Sequence, residues 1–443
     1  MTTSNVARRT GPEAASGLAV SLPELGTAFA FALDAAEGRE PGHAVKVAYT
    51  AVLVSRELGL SEDVQRAAFY AGLLHDVGVP LAAANVPEAA QLHEELIFGF
   101  SPLGGLDAAE VPPEQRSLAR DVLHAHVEAG AAFLQNPWFP EATHAAVCFS
   151  HENWDGSGYP ARASGEAIPL LARILRASDL LECTVSGESN PLNARSRSRT
   201  TVASWSGREV EPEVAAALLS LMIGDGFWLG FYDEGIAEAL AANAPGNGVQ
   251  PSEKLAWSFS EAVSGLIDVK AGHERGRGKR VADYSAAMAS ALAMSSEHVE
   301  AVRLAALWCD VGIFGVPNRI LAKPDLLAVD EMQRMRSHPA FSQEVVERIP
   351  ALRSAAGWIG AHHERMDGKG YPASLSGSEI ATEAGILSVA DAYVAMTSQR
   401  PYRAALSHDE ATSILGAGAG TQWDPFLVKV LVDAFEQEQA AAS

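Results

Sequence analysis

The sequence predicts an all-α fold built twice over. Apolar residues recur at helical spacing, alternating strand-like runs are scarce, and one unusual segment returns within the chain. Val47, Ala51, Val54 and Leu58 stand at i, i+4, i+7 and i+11, an apolar stripe of helical period, and the Ala-rich run at 214–222 continues the pattern. SHENWDGSGYP at 150–160 reappears as HHERMDGKGYP at 362–372. A period of this length implies two whole domains, not a solenoid array.

The repeat has a fixed register. An offset of 212 residues (151 to 363) pairs His151 with His363, Asp155 with Asp367, Gly158 with Gly370 and Tyr159 with Tyr371, and it also joins His126 to His338 and Asp179 to Asp391. Upstream the offset is 234 (76 to 310), which sets His75-Asp76 against Cys309-Asp310. The first copy therefore carries 22 extra residues, the difference between those offsets, before His126. The expected organisation is a disordered start at 1–16, a first domain at 17–244 with an insertion at about 81–115, a linker at 245–252 and a second domain at 253–443. The linker is marked by the break Ala244-Pro245-Gly246-Asn247-Gly248.

Composition narrows the function classes. The chain has 443 residues, 48% hydrophobic and 20% charged, which suits ordered globular domains. A net charge of −22, from 33 basic and 55 acidic residues, argues against a nucleic-acid partner, which needs a positive face. No run approaches the roughly 20 apolar residues that cross a bilayer, so a soluble, cytoplasmic protein without a membrane partner is expected. Cys148, Cys183 and Cys309 are widely spaced and form no CxxC, which suits a reducing compartment.

The first copy gathers His43, His75, Asp76, His126, His151 and Asp179. Neutral imidazoles with carboxylate oxygens are the donor set of borderline divalent metals such as Mn, Fe, Co, Ni or Zn. A lone histidine is usually a satisfied core or surface residue, and His124 is read that way. The set as a whole is read as ligands because the second copy keeps His338, His363 and Asp391 in register and adds His362. The adjacent His75-Asp76 pair, expected on one helix, can direct its side chains to two neighbouring ions, with the carboxylate bridging them. After the last histidine of each copy, Asp155-Gly156-x-Gly158-Tyr159-Pro160 and Asp367-Gly368-x-Gly370-Tyr371-Pro372 specify tight turns, in which glycines free the backbone and proline fixes it.

An upstream His-Asp pair followed by such a turn closely resembles the HD-GYP subfamily of HD-domain metal phosphohydrolases, twice, over nearly the whole chain. The second copy adds Gly315-Val316-Pro317, Lys323-Pro324, His338-Pro339, Ala390-Asp391-Ala392-Tyr393 and Thr397-Ser398-Gln399-Arg400-Pro401-Tyr402-Arg403. The resemblance implies an all-helical fold and a metal centre, Fe or Mn, that hydrolyses cyclic di-GMP. It implies His43, His75, Asp76, His126, His151 and Asp179 as ligands of one or two ions in the first copy, with Asp76 bridging and His75 and Asp76 catalytic. Such ions activate water near neutral pH and neutralise charge on phosphoryl oxygens.

Both copies depart from the family pattern. The first has Ser150 where the family has the first histidine of an HH pair and Val79 in place of a lysine, and nothing like Arg-Pro-Tyr-Arg follows Asp179. If that lysine is a general acid, its loss costs ~10²–10⁴ in rate. The second has Arg277 at the first ligand position, Cys309 for the histidine of the pair and Ile313 for the lysine, leaving Asp310, His338, His362, His363 and Asp391 as a candidate site. Cys309 reads as a thiolate ligand or, more simply, as a small core residue, and His273 is a substitute ligand if it is helical. Arg400 and Arg403, with Arg277 as a cationic stand-in, are candidate contacts for substrate phosphates.

Three readings follow. The first is a phosphodiesterase for cyclic di-GMP or a related cyclic dinucleotide, with catalysis in the first copy and a binding or regulatory second copy. The second is a non-catalytic scaffold, since the resemblance implies that the GYP region can contact GGDEF-type domains; a homodimer is a further expectation. The third is an HD phosphohydrolase for another nucleotide.

Overall fold

The computed structural model describes residues 20–85, 115–246, 253–399 and 404–442. The expected disordered start, most of the insertion, the linker beyond Gly246, and Arg400 and Arg403 lie outside these residues. Among the described residues the chain is all helical, with no strand and two isolated bridges, Ser206 to Val210 and Ala419 to Trp423. No single described helix is long and apolar enough to cross a membrane.

The first copy runs through α1 (Leu22–Ala36), α2 (His43–Glu57), α3 (Glu62–Leu74), α4 (Val79–Asn85), α5 (Arg116–Phe133), α6 (Glu141–Cys148) and α7 (Leu170–Val185). It closes with α8 (Pro191–Trp205), α9 (Pro212–Leu221), α10 (Asp225–Phe231) and α11 (Ile236–Ala242). The second copy contains α12 (Glu253–Lys270), α13 (Arg277–Ala291), α14 (Ser296–Trp308), α15 (Asn318–Leu321), α16 (Val329–Arg336), α17 (His338–Val346), α18 (Ala356–Gly360), α19 (Thr382–Thr397), α20 (His408–Gly418) and α21 (Pro425–Ala442), with a 3-10 turn at Val311–Gly315. The apolar stripe read in the sequence is α2, and the Ala-rich run falls in α9.

Helix α1 is buried on nearly every side, as expected of a helix wrapped by protein. Ser21 and Glu24 form a capping box at its start, with Glu24 N–H donating to Ser21 Oγ at 3.3 Å and Ser21 N–H donating to Glu24 Oε2 at 3.0 Å. The Phe29 ring, halfway along, lies 6.5 Å from Phe133 of the first copy and 6.2, 6.4 and 5.6 Å from Phe259, Trp308 and Phe314 of the second. One hydrophobic core therefore runs through both copies.

The register also explains how α2 and α13 begin. Asp34, near the end of α1, accepts Gly42 N–H at 2.6 Å and Ala44 N–H at 3.0 Å, holding the start of α2. Asp268, 234 residues on, does the same for Gly276 at 2.8 Å and Gly278 at 3.1 Å, holding α13. Both helices start from a glycine in the left-handed region, Gly42 at φ 108 and Gly276 at φ 88, which a side chain would strain. The carboxylates satisfy amides that have no partner within the helix.

Phe29→Ala should cost ~3–5 kcal/mol of unfolding free energy, as expected for truncating a fully buried aromatic. Urea denaturation of the full chain checks this, and a loss below about 1 kcal/mol would mean that α1 does not tie the copies together.

Candidate metal centre

The six ligand candidates of the first copy converge. His43 is the first residue of α2, His126 lies in α5 and Asp179 in α7. His75 and Asp76 sit just beyond the end of α3, which stops at Leu74. The pair is therefore not on one helix as expected: leaving the helix frees the two neighbours to turn toward the same space. His151 stands past α6, at the entrance to the GYP turn. All six side chains are buried.

Asp76 divides the cluster. Its Oδ2 lies 3.0 Å from His75 Nε2, and its Oδ1 lies 3.5 Å from His126 Nε2 and 3.6 Å from His151 Nε2. On one side His43 Nε2 faces His75 Nε2 at 3.4 Å, with Asp179 Oδ1 3.8 Å from His43. On the other side His126 Nε2 faces His151 Nε2 at 3.0 Å.

The outer hydrogen bonds fix which nitrogens carry lone pairs. His43 Nδ1 donates to Glu182 Oε2 at 2.6 Å, and His75 Nδ1 donates to the Gly72 carbonyl at 3.0 Å. Both Nε2 atoms are thereby turned inward, toward each other and toward carboxylates. Asp76 Oδ1 and Asp179 Oδ2 are buried and accept no hydrogen bond. Inward-turned imidazole nitrogens and carboxylate oxygens facing one another in a buried space favour a cation among them. The donor set of the first copy thus fits divalent ions on both sides of Asp76.

Titration behaviour agrees. Burial pushes the His75 imidazole down, but the adjacent Asp76 carboxylate more than offsets it and raises His75 to about 9. Burial pushes Asp76 up, yet His75, His126 and His151 hold it well below the usual carboxylate range. Burial lowers His151 to about 4, so it presents a lone pair at neutral pH. Without metal, a proton on His75 supplies the missing positive charge.

The GYP turn bears on the same histidine. Tyr159 stacks on His151 with ring centroids 4.9 Å apart and planes 10° apart, and Tyr159 N–H donates to the His151 carbonyl at 3.2 Å. His124, expected as an ordinary core or surface histidine, stacks on Tyr159 with ring centroids 5.9 Å apart. Glu152 accepts Ala161 N–H at 2.6 Å, tying the turn closed. Gly158 is dictated by space, since a Cβ there would lie 2.4 Å from the Asn153 nitrogen. Asp155 contacts the turn itself, with Ser157 N–H donating to its Oδ1 at 2.9 Å, and it lies outside the ligand cluster. In the second copy Tyr371 lies 5.0 Å from His363 and Glu364 accepts Ala373 N–H at 2.6 Å. Asp367 again faces its own turn, paired with Arg365 at 2.7 Å.

Several residues beside the site carry no motif. Glu182 orients His43, and Lys46 Nζ lies 4.0 Å from Glu182. Arg39 donates to Cys183 Sγ at 3.2 Å and to Glu37 Oε2 at 2.7 Å, and Cys183 Sγ lies 3.3 Å from Asp179. Arg176, one turn before Asp179, lies 3.6 Å from its carboxylate and donates to Asn153 at 3.0 Å. Ser150 does not reach the cluster, because its hydroxyl donates to the Val147 carbonyl at 2.9 Å. Val79 is a buried core residue.

In the second copy Asp310, His338, His362 and His363 lie together, their donor atoms all within 4.8 Å of one another. Arg277, expected as a cationic stand-in for metal among the phosphate-contact candidates, is buried, with NH2 2.5 Å from Asp391 Oδ1 and NH1 3.5 Å from Asp310 Oδ2. Its partners are the two carboxylates that its position would otherwise share with an ion. Cys309 is buried and lies outside this cluster, and burial pushes its thiol up, against a thiolate ligand. His273 is in the turn before α13, not in a helix, so the condition for its substitution is not met.

Comparison with known proteins places this architecture in a family. The chain matches the HD domain over residues 109–204 and 261–427, more than half of its length. It therefore belongs to the HD-domain family. It is 27% identical over 434 residues to 3'3'-cGAMP-specific phosphodiesterase 3 of Vibrio cholerae serotype O1, covering 91% of this chain and 92% of that one. It is 36% identical over 156 residues to the cyclic di-GMP phosphodiesterase response regulator RpfG of Xanthomonas campestris pv. campestris, covering 35% and 41%. The crystal structure of a cyclic GMP-AMP specific phosphodiesterase of V. cholerae, V-cGAP3, has the same fold, with a TM-score of 0.63 at 24% identity over 94% of this chain and 97% of that chain.

Two outcomes are expected. Metal must displace the His75 proton, so Mn(II) affinity should rise about tenfold per pH unit as pH approaches about 9 and flatten above; calorimetric titration that found it constant between about pH 6 and pH 8 would contradict the assigned ligand. A Cβ on Gly78 would lie 1.7 Å from the His126 carbonyl oxygen. Gly78→Ala should therefore push α5 away, costing ~1–3 kcal/mol and weakening Mn(II) binding, readable by denaturation and by the same titration.

Proposed function

We propose that this protein is a metal-dependent phosphodiesterase that hydrolyses a cyclic dinucleotide in its N-terminal copy, with the C-terminal copy binding or regulating. The observation that carries this reading is Asp76 set between two histidine pairs whose Nε2 atoms face inward. Bound divalent ions there would activate water and neutralise charge on the phosphoryl oxygens. His43, His75, Asp76 and Asp179 would hold one ion, and Asp76, His126 and His151 the other. Glu182 keeps His43 turned inward, and Tyr159 braces His151. Arg176, buried beside Asp179, and Arg39, partly buried near it, bring positive charge to a copy that lacks the lysine and the Arg-Pro-Tyr-Arg run.

The substrate class rests on the relatives. Those matched over most of their length are named for 3'3'-cGAMP, one at 27% identity and one at 25%, whereas relatives named for cyclic di-GMP match over about a third of this chain. This favours 3'3'-cGAMP among the cyclic dinucleotides first considered. Ser150, Val79 and the absent basic run favour a second reading, a non-catalytic protein whose GYP surfaces dock GGDEF-type domains. Fe or Mn is the expected metal and the cytoplasm the expected compartment.

Anaerobically purified protein with Mn(II) or Fe(II) should linearise 3'3'-cGAMP, with cyclic di-GMP run alongside, and Asp76→Ala should abolish turnover, because the ions that activate water lose a shared ligand. Folded, metal-loaded protein that turned over neither dinucleotide would move the docking reading to the front.

A further inference from the structure

The C-terminal copy is not simply a damaged version of the first. Its remaining donors are arranged with the same care. His338 Nδ1 donates to the Met335 carbonyl at 2.8 Å, and His362 Nδ1 donates to the Ile359 carbonyl at 2.6 Å. These bonds place the proton on Nδ1 and leave a lone pair on each Nε2. Both Nε2 atoms face the same oxygen, Asp310 Oδ1, at 3.3 and 3.5 Å. Both are buried and have no hydrogen-bond partner. Two lone pairs directed at a carboxylate oxygen repel it unless a metal ion or a proton stands among them. His363 adds a fourth donor, within 4.8 Å of the others.

The other side of Asp310 is different. Asp76 Oδ2 and Asp179 Oδ1 flank His43 and His75 in the first copy, whereas here Asp310 Oδ2 and Asp391 Oδ1 flank the Arg277 guanidinium, at 3.5 and 2.5 Å. Arg277 takes the chain position of His43 at the start of its helix, held by the same carboxylate cap from Asp268. A guanidinium stays protonated, is planar and engages two carboxylates at once. It neutralises the charge an ion would neutralise, fills the space, and repels a second cation.

We propose that the C-terminal copy is a one-ion centre, in which a single divalent transition metal is held by Asp310, His338, His362 and His363 and the Arg277 guanidinium permanently occupies the place of a second ion. Such a centre holds one Lewis acid beside one fixed organic cation. It keeps a positive focus without the paired ions of the first copy. This assignment does not depend on what the first copy hydrolyses.

The test is metal counting on the full chain with Mn(II) as the only added metal, by elemental analysis after desalting. His362→Ala and His338→Ala should each lose about one equivalent relative to the unsubstituted chain, and Arg277→His combined with Cys309→His should gain about one, since that pair restores the donor set of the first copy. In an Asp76→Ala background, the remaining Mn(II) should give the six-line electron paramagnetic resonance signal of an isolated ion. Thermal melts establish that each variant is folded. Unchanged metal content in both folded histidine variants would overturn the site. An exchange-coupled Mn(II) pair that survives Asp76→Ala and is lost in Asp76→Ala/His362→Ala would overturn the role given to Arg277. Both readouts are independent of turnover, so a failure of the catalytic reading leaves them interpretable.

Discussion

One buried carboxylate organises the first copy. Asp76 stands between two pairs of imidazoles, and each of its oxygens faces one pair. Every neighbouring feature makes sense as a way of holding that arrangement. The carbonyl of Gly72 and the carboxylate of Glu182 turn two histidines inward, the Asp34 cap fixes where His43 begins its helix, and Tyr159 braces His151. Gly78 lets the chain after Asp76 press against the backbone of His126. A site with this much inward-facing negative and lone-pair character, removed from water, is stable only with compensating positive charge.

The second copy solves the same electrostatic problem differently. Asp310 also stands between a histidine cluster and a second carboxylate, but Arg277 supplies the compensation on one side. The second copy therefore keeps the constraint while changing what satisfies it. Gly312 repeats the close approach of Gly78, a Cβ there lying 2.1 Å from the His338 carbonyl oxygen. The backbone frame of the centre is kept even where the ligands are not. The shared core around Phe29 binds the two frames into one unit.

Much of this was legible in the sequence. The register of 212 residues brought out His126, His151 and Asp179 with their partners, and the helical stripe at Val47 marked α2. The turn residues were readable because glycine and proline carry backbone information by themselves. Asp34 and Asp268 were missed, although an upstream extension of the offset of 234 pairs them and also pairs Gly42 with Gly276. Glu182, Arg39 and Arg176 left no such trace: the second copy has Val394, His273 and Ser388 at the corresponding positions. Their roles arise from tertiary proximity across helices, which no spacing encodes. Arg277 was visible as a departure, but only its two carboxylate contacts reveal that it serves the site from within.

The most direct test of the bridging role of Asp76 is anomalous diffraction from crystals of the full chain grown with Mn(II). The account predicts a peak on each side of the Asp76 carboxylate, one against His43 and His75 and the other against His126 and His151. A first copy without metal beside Asp76, in crystals where Mn(II) is bound elsewhere on the chain, would contradict it.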